Sequence, residues 1–386
     1  MATYTAFEMS EYRERLDRAR RAMREADIAC CICMAPENLF YLSGYDSWTA
    51  AVNPQGLVFT AGDDAPTLLV RNYDLGFVSE STWVEDIRTF HLNRDRPEAL
   101  LVEIARQKGV REGRIGIDLN TPAVNGAFAL KLVDAFKPAQ IVDATFLLGD
   151  LRLVKSPSEI AYLRKAAGHA QAGLTAVYRA LKAGRTEIAV AADVEAAMRM
   201  NGSDFWAIPT EFASGDRSAA GHGTPRPRVI ETGDIAHFEF AGVASRYHTT
   251  AMVTLAVGEP SRRARDLYRI NLESLRAGIA AVRPGAPAAA VEEAALAPLR
   301  REGLEDTFQG RFGYGIGIAY PPIWLETLEI DRQSKQVLQP GMVFVLHATI
   351  VLPDERLGYM QGGTYLLTET GLDMLVGAGD AELAMV

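Results

Sequence analysis

Gly233-Asp234-Ile235-Ala236-His237-Phe238-Glu239-Phe240, running on through Arg246-Tyr247-His248-Thr249-Thr250 to Val257-Gly258-Glu259-Pro260, is the stretch whose reading decides the fold. Two strand-like runs, 234–241 and 246–257, follow each other closely. Period-two alternation in the first puts His237, Glu239 and Ala241 on one face. A carboxylate between Phe238 and Phe240 on an apolar strand is costly to bury unless it has a partner or a task. Glu239 is therefore the first candidate for a catalytic or substrate-anchoring group.

Working outward, a strand is expected over 204–213, paired helices near 260–282 and 287–302, and strands at 343–351 and 364–369. Between them lies Gly313-Tyr314-Gly315-Ile316-Gly317, then Pro321-Pro322 and Leu338-Gln339-Pro340-Gly341-Met342-Val343-Phe344. Strands grouped apart from helices imply an α+β layer, with helices on one face of a mainly antiparallel sheet. Upstream, Ser156-Pro157-Ser158-Glu159 has the form of a capped helix start, with Ser156 as N-cap and Glu159 placed for a capping box. That helix should run to Leu181, with Gly184 as its stop, and a second should span Glu187 to Met200. A domain boundary is expected near residue 150, giving an N-terminal domain over 1–150 and a catalytic domain over 151–386. In the first, a helix over 10–27 capped by Ser10, strands at 28–34, 56–60, 67–71 and 114–118, and helices at 98–108 and 123–136 alternate as in a small α/β domain.

The composition is that of a globular chain: 386 residues, 48% hydrophobic and 23% charged. Two domains suit that length. A net charge of −9 opposes nucleic acid and anionic membrane surfaces as partners. No apolar run is long enough for a transmembrane helix, and Glu11 to Asp27 is charged throughout, unlike a secretory leader. Cys30, Cys31 and Cys33 fall in one apolar run and read as a buried strand in a reduced, cytoplasmic protein.

The order and spacing of these segments resemble the pita-bread hydrolases, a family of Xaa-Pro aminopeptidases, prolidases, methionine aminopeptidases, creatinase and ectoine hydrolase. The resemblance implies an α/β creatinase-like N-terminal domain and an α+β pita-bread catalytic domain. The metallopeptidase branch holds two metal ions with Asp, Asp, His, Glu and Glu. On those positions this sequence has Glu239, Thr250, Tyr314, His347 and Gly362. Two anionic ligands are lost, so the resemblance points to a branch without metal or other cofactor. A single ion on Glu239, His347 and His222 is the alternative ligand set.

His222, in Ala219-Ala220-Gly221-His222-Gly223-Thr224-Pro225, precedes Gly233-Asp234 by the distance that separates creatinase's catalytic histidine from its own Gly-Asp pair. A loop imidazole suits proton transfer near neutral pH. Ala319-Tyr320-Pro321-Pro322-Ile323-Trp324-Leu325-Glu326 is similar to the corresponding stretch of ectoine hydrolases, as is the sequence around Glu239 and Arg246-Tyr247-His248. Trp324 with Glu326 would receive a delocalised cation. Tyr314 would donate to substrate or fill space, and His347 would line the pocket or sit satisfied in the core. Leu42-Ser43-Gly44-Tyr45 matches a loop that in creatinase-like homodimers reaches the neighbouring subunit's pocket, which makes Trp48 a further substrate-binding candidate.

The resemblance implies a hydrolase acting on a non-peptide C–N bond of a small zwitterionic substrate, with ectoine leading and creatine-like guanidino acids next. A metal-dependent Xaa-Pro dipeptidase and a non-catalytic binding protein are the rivals. Tyr359-Met360-Gln361-Gly362 and His347 depart from the acidic pattern of creatinase and ectoine hydrolase and leave the substrate open.

Overall fold

The structure is a computed structural model that describes residues 5–308, 310–379 and 381–386. By its internal packing the chain divides into two units, Met1–Arg152 and Leu153–Val386.

In the first unit the cysteine run folds as β1 (Cys30–Cys33), fully buried and central in what is, among the described residues, a six-stranded sheet. It pairs antiparallel with β2 (Gly56–Thr60), which continues to β3 (Thr67–Arg71) and β4 (Asp86–Phe90). On its other side it runs parallel to β5 (Arg114–Ile117), then β6 (Gln140–Asp143). Helices α1 (Met9–Glu25), α2 (Pro36–Ser43), α3 (Leu75–Ser81), α4 (Pro97–Gln107), α5 (Gly126–Ala135) and α6 (Thr145–Asp150) complete this α/β unit. Burial raises the Cys30 thiol to about 12 and lifts Cys31 and Cys33 well above the ordinary thiol value, so all three are protonated and unreactive. The first helix differs from expectation at its start: it begins at Met9, the N-cap position is Glu8, and no side chain caps it, so Ser10 lies inside the first turn.

In the second unit the predicted capping box is formed. The Glu159 N–H donates to Ser156 Oγ at 3.2 Å, and the Ser156 N–H donates to Glu159 Oε2 at 2.9 Å. They open α7 (Pro157–Ala180), which is followed by α8 (Glu187–Met200). Among the described residues the strands make a nine-stranded sheet: β7 (Glu211–Ser214), β8 (Ile235–Ala244), β9 (Tyr247–Ala256), β10 (Gly313–Tyr320), β11 (Ile323–Ile330), β12 (Val343–Leu352), β13 (Leu357–Thr368), β14 (Gly371–Gly377) and β15 (Ala384–Met385). Their pairings are antiparallel except that of β15 with β9. Helices α9 (Arg262–Ala281) and α10 (Ala288–Arg301) fall between β9 and β10.

Alternation along the strands separates two environments. Phe238 and Phe240 of β8 join Phe212, Leu174, Val177 and Met198 in a core under α7 and α8, and Phe212 stacks on Phe238 with centroids 3.9 Å apart. Leu346 and Ala348 of β12 similarly face a core shared with α10. The intervening residues His237, Glu239, His347 and Thr349 open instead onto a cavity. The strand expected over 204–213 is shorter, Glu211–Ser214, because Pro209 has no N–H to give a ladder. The β10–β11 hairpin is an addition, since no element is expected over that stretch from the sequence.

Candidate active site

The cavity has a volume of about 700 Å³ and is walled by β7, β8, β10, β11, β12 and the loop after β7. At its base sits Glu239, 6% exposed. The Tyr314 hydroxyl donates to Glu239 Oε1 at 3.0 Å, and Trp324 Nε1–H donates to the Tyr314 oxygen at 3.1 Å. Tyr314 and Trp324 thus form a directed chain of donors ending on the carboxylate. Donation from a neutral phenol favours the ionised acid, and burial opposes it. Burial prevails, and the Glu239 carboxyl is raised to about 7.

A second carboxylate, absent from the sequence reading, stands directly across the ladder. Glu211 on β7 pairs in register with Glu239 on β8, lines the same cavity and is 6% exposed. Residues so opposed have Cβ atoms roughly 4.5–5.5 Å apart. Burial first, and then the charge of Glu239, raise Glu211 to about 9. Two acids this close and this buried do not both ionise without a cation. Nothing in Pro209-Thr210-Glu211-Phe212 signalled this: the pairing depends on strand register across the 27 residues between Glu211 and Glu239.

His347 lies beside Tyr314, ring centroids 5.9 Å apart. Burial lowers it to about 4, with smaller contributions from Arg311 and His222, so the imidazole is neutral. Its Nδ1 has no hydrogen-bond partner among the described residues. His237 is also neutral, lowered to about 4 by burial, with Nε2 and the Ser218 carbonyl 2.8 Å apart. His222 reaches the cavity from its turn and is exposed, so the structure brings it together with Glu239, Tyr314, Trp324 and His347. Arg311, just before β10, lies on the same wall and is ion-paired with Glu329 at 2.7 Å.

Two candidates fall elsewhere. Glu326 does not line the cavity; it is ion-paired with Lys155 beneath β10, each side chain 1% exposed. The β10 glycines make room for that pair, since a Cβ at Gly317 would lie 2.5 Å from Glu326 Oε1. Its charge is thus matched within the fold, which corrects its assignment as a cation receptor. Trp48 stands in the Met1–Arg152 unit at the start of a short 3-10 turn, 53% exposed, and is not among the residues lining the cavity. Arg246-Tyr247-His248 is structural too. Tyr247 donates to Glu159 Oε1 at 2.8 Å, and His248 is held between the Ala207 N–H and the Arg246 carbonyl.

Residues 15–154 match the creatinase/prolidase N-terminal domain, and residues 161–369 match metallopeptidase family M24. The chain belongs to family M24. It is 27% identical over 368 residues to the Xaa-Pro dipeptidase of Pyrococcus furiosus, covering 94% of this chain and 97% of that one. It is also 27% identical over 388 residues to the ectoine hydrolase of Halomonas elongata, covering 96% of each. The crystal structure of dipeptidase PepE from Mycobacterium ulcerans superposes with a TM-score of 0.85 at 28% identity, covering 98% of this chain and 99% of that one.

The dinuclear centre that this family name implies is not matched by the residues present. Thr250 is buried with its backbone N–H and carbonyl both engaged by Thr364 Oγ1. At Gly362 a Cβ would lie 2.3 Å from the Leu346 carbonyl and 2.7 Å from His347 Cβ, so a carboxylate does not fit without displacing β12. Tyr314 directs a proton at Glu239, where a ligand would direct a lone pair. Among the described residues no group of three or more His, Cys, Asp or Glu side chains is arranged to hold a metal ion.

Proposed function

We propose that this M24 hydrolase cleaves a non-peptide C–N bond in a small zwitterionic amidine, with ectoine the leading candidate, without a resident metal. The observation that carries the reading is the replacement of a cation-binding ligand set by Thr250, Tyr314 and Gly362 around a retained acid, Glu239, buried at the base of the cavity. Peptide carbonyls are poor electrophiles, and metallopeptidases polarise them with a Lewis acid. An amidinium carbon belongs to a group that is already cationic, so the substrate supplies the charge that metal supplies to a peptidase.

In this reading Glu239 holds the cation and either attacks its central carbon or positions water there. His222 moves protons, while Tyr314, Trp324 and His347 orient the ring, and Arg311 faces the carboxylate end. The water oxygen finishes bonded to carbon, the C–N electron pair goes to nitrogen, and both water protons finish on the released amine. A homodimer with Trp48 near the partner's pocket belongs to the same reading, and sedimentation would test it.

A second reading, a metal-dependent Xaa-Pro dipeptidase, has the greater support from the names of its relatives, the Pyrococcus furiosus enzyme and PepE among them. The two separate in one experiment. The protein is incubated with ectoine, hydroxyectoine, creatine and a Xaa-Pro dipeptide, with chelator or with added manganese, and products are followed by mass. Ring opening of ectoine under chelator supports the first reading. Dipeptide cleavage that requires manganese overturns it, and no turnover of any compound favours a binding protein.

A further inference from the structure

Glu211 is buried, faces the cavity and leaves Oε2 without a hydrogen-bond partner among the described residues. It stands opposite Glu239, whose own Oε1 is engaged by Tyr314. An orphaned acid in that position calls for a donor from the cavity, because an unsatisfied buried carboxyl carries its full desolvation cost. We propose that Glu211 and Glu239 are the two arms of one receptor for a planar N–C–N cation, each carboxylate accepting from one nitrogen, and that Glu211 thereby sets the substrate class to amidinium or guanidinium. The assignment rests on the proposed reaction and deepens it.

Geometry favours a planar cation over an ammonium. Opposed strand positions hold two carboxyls on one face at a fixed spacing, and a delocalised cation offers N–H groups on two nitrogens diverging from one carbon. Paired charge-assisted hydrogen bonds of this kind are strong and directional. An ammonium presents its charge at one point and satisfies one arm well. The raised values of both acids fit the same picture: without a cation the pair retains a proton, and a bound cation replaces it. The other titratable groups on the cavity are His237 on β8, Tyr314 on β10, His347 on β12, Tyr359 on β13, Arg311 and loop His222. Glu187 of α8, adjoining β7, is engaged by Ser214 and Arg217.

The test is calorimetric titration of the full-length protein with acetamidinium, guanidinium and methylammonium at pH 7.5, for wild type, Glu211→Gln and Glu211→Asp. Wild type should bind acetamidinium and guanidinium more tightly than methylammonium. Glu211→Gln should lose on the order of ten- to a hundred-fold of that affinity, and Glu211→Asp should recover part of it. Repeating the wild-type titration in buffers of different ionisation enthalpy should show proton release that Glu211→Gln lacks. Unchanged amidinium affinity in Glu211→Gln, or methylammonium binding equal to acetamidinium in wild type, overturns the proposal. Should wild type bind amidinium through Glu211 yet hydrolyse no amidine, the receptor stands and the proposed reaction falls. Ectoine turnover unimpaired in Glu211→Gln leaves the reaction and removes the receptor.

Discussion

At the scale of single residues, the site is a pair of acids under unequal control. Tyr314 donates to Glu239 and so favours its ionised form, whereas Glu211 has only burial and a like charge and is raised further. Glu239→Gln keeps the shape and removes the charge; turnover of an amidine should fall by at least about a hundred-fold with the circular dichroism spectrum unchanged. The stability consequence of Glu211 has a definite sign. Its carboxyl ordinarily ionises at 4.5 and is raised to about 9 in the fold, so the native state binds the extra proton between those values. Its contribution is fully present below pH 4.5 and is lost as pH rises through about 9. The melting temperature of Glu211→Gln should therefore exceed that of wild type by several degrees at pH 8.5, with the gap closing towards pH 5, as thermal melts across that range would show. A gap that widens towards acid contradicts the assigned direction.

At the scale of elements, alternation does most of the sorting. Along β8, Phe238 and Phe240 pack against the helices while His237 and Glu239 line the cavity, and the sequence showed this directly because the period is two. The β10–β11 hairpin was not legible, since Gly313, Gly315 and Gly317 have no side chains to carry a period. The reason for the last two is visible only in three dimensions: they pass over Glu326 and its partner Lys155. That pair is deeply buried, so removing one partner should cost far more than removing both. Lys155→Met alone should destabilise by about 3–5 kcal/mol, and Lys155→Met with Glu326→Leu should recover most of it, measured by urea unfolding. Equal losses in the single and double variants would show that the pair is a spectator. The helix start at Ser156 was readable because a capping box is local, involving groups three residues apart.

At the scale of the whole molecule, a family fold is retained while the residues at its centre differ from a dinuclear ligand set. The N-terminal and catalytic parts match their family over most of the chain, yet the donor set for two cations is absent among the described residues. Exhaustive chelation should therefore leave the melting temperature of the intact protein unchanged, and added manganese or cobalt should not raise it. A marked chelator-induced drop, reversed by one of those ions, would restore the metalloenzyme view, because an ion bound to the native state alone stabilises it by mass action.

Local and periodic features were determined by the sequence alone: the capped start of α7, the α/β character of the first unit, the buried cysteine strand, and the ligand substitutions at Thr250, Tyr314 and Gly362. Each rests on nearest neighbours, on a period along one strand, or on residue identity at matched spacing. Tertiary structure decided what depends on register between distant segments. It placed Glu211 opposite Glu239, withdrew Glu326 into an ion pair with Lys155, and aimed Tyr314 at the acid. The physical reason is that hydrogen bonding and the ionisation of buried acids depend on separations of a few ångströms, which only the pairing of strands far apart in the chain establishes.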